Sequence, residues 1–201
     1  MVRDTEKEFA AVTARCRNVF AAKLRDYGTS WRIMRPESIT DQIFIKAMRI
    51  RSLQQKGVAM VSEGIEPEFI AIVNYSVIGL IQLELGPGES LSIDKALELY
   101  DLWMERATSL MLRKNHDYGE AWRLMRVPGI TDIILQKLLR TREIEDHHGH
   151  TEVSEGVDAN YMDMINYAIF AMIHLMEQAE SNAGEEPATT DDCIQSLNID
   201  K

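Results

Sequence analysis

Cysteine is nearly absent from this 201-residue chain, which has only Cys16 and Cys193. Two thiols make no disulfide framework, and such sparse usage is expected of a reducing cytosol. Basic residues are in deficit: 22 Lys and Arg against 32 Asp and Glu leave a net charge of −10. That balance argues against a broad phosphate-backbone footprint, so direct nucleic-acid binding is not expected. There is no glycine-rich phosphate loop and no dinucleotide fingerprint. The N-terminal residues, Met1 to Glu8, carry no apolar signal-peptide region. Long hydrophobic runs are missing too. Phe69–Leu85, the nearest candidate, is short for a membrane span and holds Asn74 and Gln82. A helix buried in a bundle is the better reading, and no membrane role is expected. Strand-like alternation is absent throughout. Cys16 has no nearby histidine or base signature, so nucleophilic catalysis is unsupported.

What is present is said twice. Lys23-x-x-Asp26-Tyr27-Gly28-x-x-Trp31-Arg32-x-Met34-Arg35 returns as Lys114-x-x-Asp117-Tyr118-Gly119-x-x-Trp122-Arg123-x-Met125-Arg126. Ile39-Thr40-Asp41, Lys46 and Arg49 return as Ile130-Thr131-Asp132, Lys137 and Arg140. Over residues 23–49, 14 of 27 positions are identical at an offset of 91. After one inserted residue the offset is 92: Val61-Ser62-Glu63-Gly64 becomes Val153-Ser154-Glu155-Gly156, and Asn74-Tyr75 becomes Asn166-Tyr167. Two copies with so long a period are a duplicated small domain rather than a solenoid. The repeat serves as an internal comparison, because what both copies share is fold or common chemistry.

Each copy reads as three helices. The first is amphipathic, from Glu6 to about Tyr27 and from Ile93 to about Tyr118, with the following glycine as C-terminal cap. A short Trp-Arg segment follows, ended by Pro36 or by Pro128-Gly129. The second helix is expected to start at Thr40-Asp41 or Thr131-Asp132, threonine being a good N-cap. The third starts near Ser62 or Ser154 and is apolar nearly all round, hence central. These elements predict an all-α fold: tandem three-helix units, 5–85 and 90–180, packed as a bundle about a pseudo-two-fold axis. The acidic stretch 181–201 is expected to be a disordered tail.

Two constellations could carry chemistry. On the third helix of the second copy, Asp163 and Asn166 sit three apart and share a face; just upstream, Glu155 and Asp158 do the same. These oxygens suit Mg²⁺, with Glu155, Asp158 and Asp163 as ligands. The first copy has Ala71 where Asp163 stands, so the second copy is the complete one on this reading. The competing reading has Asn74 and Asn166 as buried amides and Asp163 paired with a buried Arg or Lys. The second constellation is basic. Lys114, Arg123, Arg126, Lys137 and Arg140 all recur, and arginine and lysine suit phosphate recognition. Trp122 and Tyr118 beside them could stack on a base. Against this stands a set of salt bridges to Asp117, Asp132 and Glu155 that locks the bundle. His147-His148-x-His150 falls in an expected loop, where histidines are more often solvated than ligands.

The repeated Lys-x-x-Asp-Tyr-Gly-x-x-Trp-Arg, Ile-Thr-Asp, Lys-x-x-Arg and Asn-Tyr motifs resemble the nucleotide modification associated domain 1 family, catalogued as a domain of unknown function. The resemblance covers about residues 10–85 and 100–178, and implies a link to nucleotide metabolism or base modification. A more distant likeness is to MazG-like all-α nucleoside triphosphate pyrophosphatases, which are Mg²⁺-dependent and usually oligomeric. Glu155 and Asp158 resemble their first acidic pair and Asp163 an acid of the second. Here the pairs lie only a few residues apart, and Asn166 replaces a carboxylate.

The expectation is therefore a cytoplasmic, Mg²⁺-dependent nucleotide pyrophosphohydrolase. Glu155 would serve as general base, and Lys114, Arg123, Lys137 and Arg140 would neutralise phosphate charge. Tyr118, Trp122, Arg126 and Asn166 would flank the substrate, and self-association of the chain is compatible with this. The alternative is a non-catalytic module that binds a nucleotide or a protein partner.

Overall fold

The computed structural model describes residues 4–57, 64–153 and 155–184. Among them are six α-helices and no strand: α1 Thr5–Tyr27, α2 Pro36–Lys56, α3 Glu66–Leu85, α4 Ile93–Tyr118, α5 Val127–Asp146 and α6 Val157–Gly184. A 3₁₀ turn, Ser30–Ile33 or Ala121–Leu124, joins the first helix of each copy to the second. Local sequence accounts for the first helices. Asp4 and Ser92 cap α1 and α4 by accepting from the Lys7 and Lys95 amides, each at 3.2 Å. Gly28 and Gly119 end them with φ of +64° and +59°, a backbone state glycine adopts without a Cβ penalty.

The second helices begin one turn earlier than their threonines predict. Pro36 and Pro128 lie in the first turns of α2 and α5 instead of ending the preceding segment. Proline fits there because its fixed φ is helical and the missing N–H would have no helical acceptor. Thr40 and Thr131 are thus interior; the Thr131 hydroxyl bonds back to the Val127 carbonyl at 3.1 Å, and the Thr40 hydroxyl lies 3.4 Å from the Pro36 carbonyl. The expected starts at Ser62, Glu63 and Ser154 lie outside the described residues, and α3 and α6 begin at Glu66 and Val157. The expected tail begins too early, because α6 continues to Gly184, with the Ser181 hydroxyl bonded to the Glu177 carbonyl at 2.9 Å. The remainder of that stretch, with Cys193, lies outside the described residues.

Helices α3 and α6 pack on each other at the centre, and α2 and α5 pair beside them. Helices α1 and α4 each lie against both α3 and α6. Exchanging the two copies leaves this pattern unchanged, as a pseudo-two-fold axis requires. One continuous core includes Phe9, Ile72, Val77, Tyr100, Ile165 and Ile169, so the copies share an interior. Among the described residues α3 alone is long and apolar enough to cross a membrane, and most of it is buried inside the bundle.

The repeated Thr-Asp pair fastens α2 to α5. Thr40 donates to Glu145 at 2.6 Å, and at the symmetric place Thr131 accepts from Gln54 at 3.0 Å. Asp41 pairs with Arg142, and Asp132 faces Arg51 at 4.0 Å. Each residue of the pair, in both copies, binds a side chain of the other copy.

Candidate functional site

Each copy opens a cleft between its first helix, its 3₁₀ turn and its third helix. The first has a volume of about 750 Å³ and the second about 410 Å³, both of small-ligand size. Twelve of the thirteen residues lining the second cleft have counterparts, 91 or 92 positions earlier, lining the first. The thirteenth, Glu155, corresponds to Glu63, which lies outside the described residues. Seven of the twelve pairs are identical: Lys23/Lys114, Tyr27/Tyr118, Trp31/Trp122, Met34/Met125, Lys46/Lys137, Asn74/Asn166 and Tyr75/Tyr167. Much of the shared motif is therefore the wall of one site, built twice.

The glycine cap turns the chain out of the first helix, and the 3₁₀ turn then directs its tryptophan inward. Trp31 and Trp122 are 7% and 5% exposed. Trp122 stacks on Phe170 with ring centroids 4.2 Å apart. In both copies the indole N–H is buried without a hydrogen-bond partner. Such an orphaned donor is uncommon in a folded protein, and here it recurs at equivalent places. Tyr27 and Tyr118 stand at the rims, largely exposed. Asn74 and Asn166 tie the third helix to the first: their amides donate to the Cys16 and Ala107 carbonyls, both at 3.1 Å. Asn74 Oδ1 also accepts from Tyr100 at 2.9 Å. The residue symmetric to Tyr100 is Phe9, which has no hydroxyl, and Asn166 Oδ1 is left without a partner.

The ion pairs differ between copies. Asp163, 4% exposed, accepts from Lys114 through Oδ1 and from Lys137 through Oδ2, each at 2.5 Å. In the first copy the acid stands one turn earlier on the third helix. Glu68 there pairs with Lys46 at 3.2 Å and with Arg49. The position equivalent to Glu68 is Asn160 and that equivalent to Asp163 is Ala71.

The expected Mg²⁺ ligands do not converge. Both Asp163 oxygens face ammonium groups, and Asp158 lines a different, shallow pocket beside Trp103, Arg106 and Arg113. Glu155 does line the second cleft, exposed at its edge. Among the described residues no three His, Cys, Asp or Glu side chains group closely enough to hold a metal. This arrangement does not fit a divalent cation, which takes several converging oxygens.

The basic set also divides. Lys114 and Lys137 line the cleft, but Arg123 does not. It is held by Glu8, by Glu120 at 2.9 Å and by Glu177 at 3.0 Å, and it lies 4.4 Å over the Trp122 ring. Its counterpart Arg32 binds Gln82 and the Gly86 carbonyl. These arginines brace the 3₁₀ turns, Arg123 through Glu8, Glu120 and Glu177 and not through the expected Asp117, Asp132 or Glu155. Arg126 is exposed at the start of α5, and Arg140 lines a separate pocket with His147 and His150. Cys16 is buried, which pushes its thiol up to about 12 and removes it as a nucleophile.

Sequence reasoning missed several wall residues: Met34/Met125, Tyr75/Tyr167 and the apolar Phe20/Met111. The identity of the Asn-Tyr pair in both copies was the available signal for the tyrosines. Glu68 carried no such signal, because its counterpart is not an acid.

The sequence model of nucleotide modification associated domain 1 matches the chain twice, over residues 23–83 and 114–175. These two matches contain most of the residues that line the clefts and agree with the first resemblance drawn from the repeat; the MazG-like likeness has no such support. No curated protein and no solved structure matches the chain.

Proposed function

We propose, for a chain that belongs to the nucleotide modification associated domain 1 family, that it is a duplicated binding module for nucleotide-class ligands. The carrying observation is the twice-built cleft, in which an inward tryptophan, two tyrosines and two lysines meet. The exposed rim tyrosines Tyr27 and Tyr118 offer faces that suit a flat ring, and lysines suit an anionic group on the same molecule. Hydrolysis with Mg²⁺ would need the second copy's carboxylates to converge, and Asp163 is instead neutralised by two lysines. Binding without turnover is thus the better-supported reading.

The test is a titration with ribo- and deoxynucleoside mono- and triphosphates, without divalent cations, read by tryptophan fluorescence and thermal unfolding. At least one nucleotide should bind and raise the melting temperature. The paired substitution Lys23→Ala and Lys114→Ala should weaken it about tenfold, the loss of roughly 1.4 kcal/mol of charge interaction. If no nucleotide binds, or if the paired variant binds as tightly as the parent, the reading fails.

A further inference from the structure

We infer that the two clefts have diverged into an open anion site in the first copy and a self-filled one in the second, where Asp163 stands in the anion's place. The inference rests on the ligand-binding reading above and assigns its anion subsite. In the second cleft one carboxylate satisfies both cleft lysines. A buried carboxylate held between two ammonium groups is the same charge arrangement that a bound phosphate or carboxylate would make.

The first cleft lacks that carboxylate, because Ala71 occupies the position. Its acid, Glu68, is shared between Lys46 and Arg49 and leaves Lys23 with no ion pair among the described residues. Lys23 is exposed and lines the cleft. Among the described lining residues, Lys23, Lys46 and Glu68 leave the first cleft one positive charge, whereas Lys114, Lys137, Asp163 and Glu155 cancel in the second; Glu63, the counterpart of Glu155, lies outside the described residues. Volume points the same way, at about 750 Å³ against about 410 Å³. The anionic part of the ligand therefore belongs at Lys23, and an anion entering the second cleft would have to displace Asp163 from two partners.

Pyridoxal 5′-phosphate is a suitable probe, since it joins an aromatic ring, a phosphate and an aldehyde. The aldehyde condenses with a neutral lysine amine, water leaves, and added borohydride reduces the imine to a stable secondary amine that peptide mass spectrometry locates. In the parent protein, labelling should fall on Lys23 or Lys46, be blocked by inorganic triphosphate, and exceed that of Lys114 and Lys137 about tenfold. Asp163→Ala should bring Lys114 or Lys137 to a comparable, triphosphate-protected level. The double change Asn160→Glu with Asp163→Ala restores an acid in the first copy's pattern, and should do the same at Lys114 if the single variant unfolds. Equal protected labelling of both clefts in the parent would overturn the divergence while leaving the binding reading intact. So would a folded variant whose second cleft stays unlabelled. Absence of protected labelling at any cleft lysine, in parent and variants alike, would overturn both.

Discussion

Glu145 shows how much one side chain depends on its surroundings. It sits between α2, α5 and α6, accepting from Thr40 at 2.6 Å, while Thr40 also meets the Tyr161 hydroxyl at 2.7 Å. Burial, and then the nearby Glu37, Asp41 and Asp146, push its carboxyl up from 4.5 to about 7, with the Thr40 hydrogen bond opposing. The folded state therefore prefers Glu145 protonated. Its contribution to stability is fully present below the ordinary carboxylate value and is lost as pH rises through about 7. The first copy places Gln54 at the equivalent position, an amide that does not titrate. Glu145→Gln should flatten this part of the pH–stability curve. Above pH 7 it should add about 1–2 kcal/mol, a figure discounted because the group is partly solvated. Denaturant melts at pH 5 and pH 8 check this; an unchanged difference between the two pH values would refute it.

At the scale of elements, the close crossing of α3 and α6 turns on Gly79. A Cβ built there would come within 2.8 Å of the Tyr161 ring. Both partners are fully or nearly fully inside the bundle, so the ring has little room to retreat. Gly79→Ala should cost about 1–3 kcal/mol through overpacking, more than the few tenths that better helix propensity returns. The counterpart on α6 is Ala171, itself fully buried, so Ala171→Gly should show only a loss of packing and of helix propensity. Thermal melts of the two variants distinguish these effects, and a Gly79→Ala protein more stable than its parent would contradict the described crossing. Local signals read the elements well wherever a cap decided them. Gly28 and Gly119, the expected C-terminal caps, stand at helix ends. They read α2 and α5 less well, because Thr40 and Thr131 resemble N-caps but bond to partners on the opposite copy.

The whole molecule is one bundle made from two copies of one unit. Helices α3 and α6 are apolar around most of their circumference and cover each other, so neither copy alone encloses its central helix. Residues 4–86 and 87–184, produced separately, should each be unfolded or associate into a dimer through the exposed face. The intact chain should melt in one transition. Light scattering and calorimetry decide it; a folded, monomeric half would show that the shared core is dispensable.

The duplication, the all-α class, the ends of α1 and α4, and the repeated lysine, tryptophan and tyrosine of the site could be read directly from the chain. All rest on periodicity, capping and internal identity, which are local or self-referential. The partner of each charged group could not be read that way. Arg123 and Lys114 look alike as repeated cations, yet one braces a turn and the other faces a cleft. Asp163 looks like a metal ligand until two lysines from α4 and α5 are found on its oxygens. Charge pairing depends on distances of a few ångströms between residues 26 to 115 positions apart. Only the packed helices decide those distances, because Coulomb energy and desolvation follow separation and burial in space and not order along the chain.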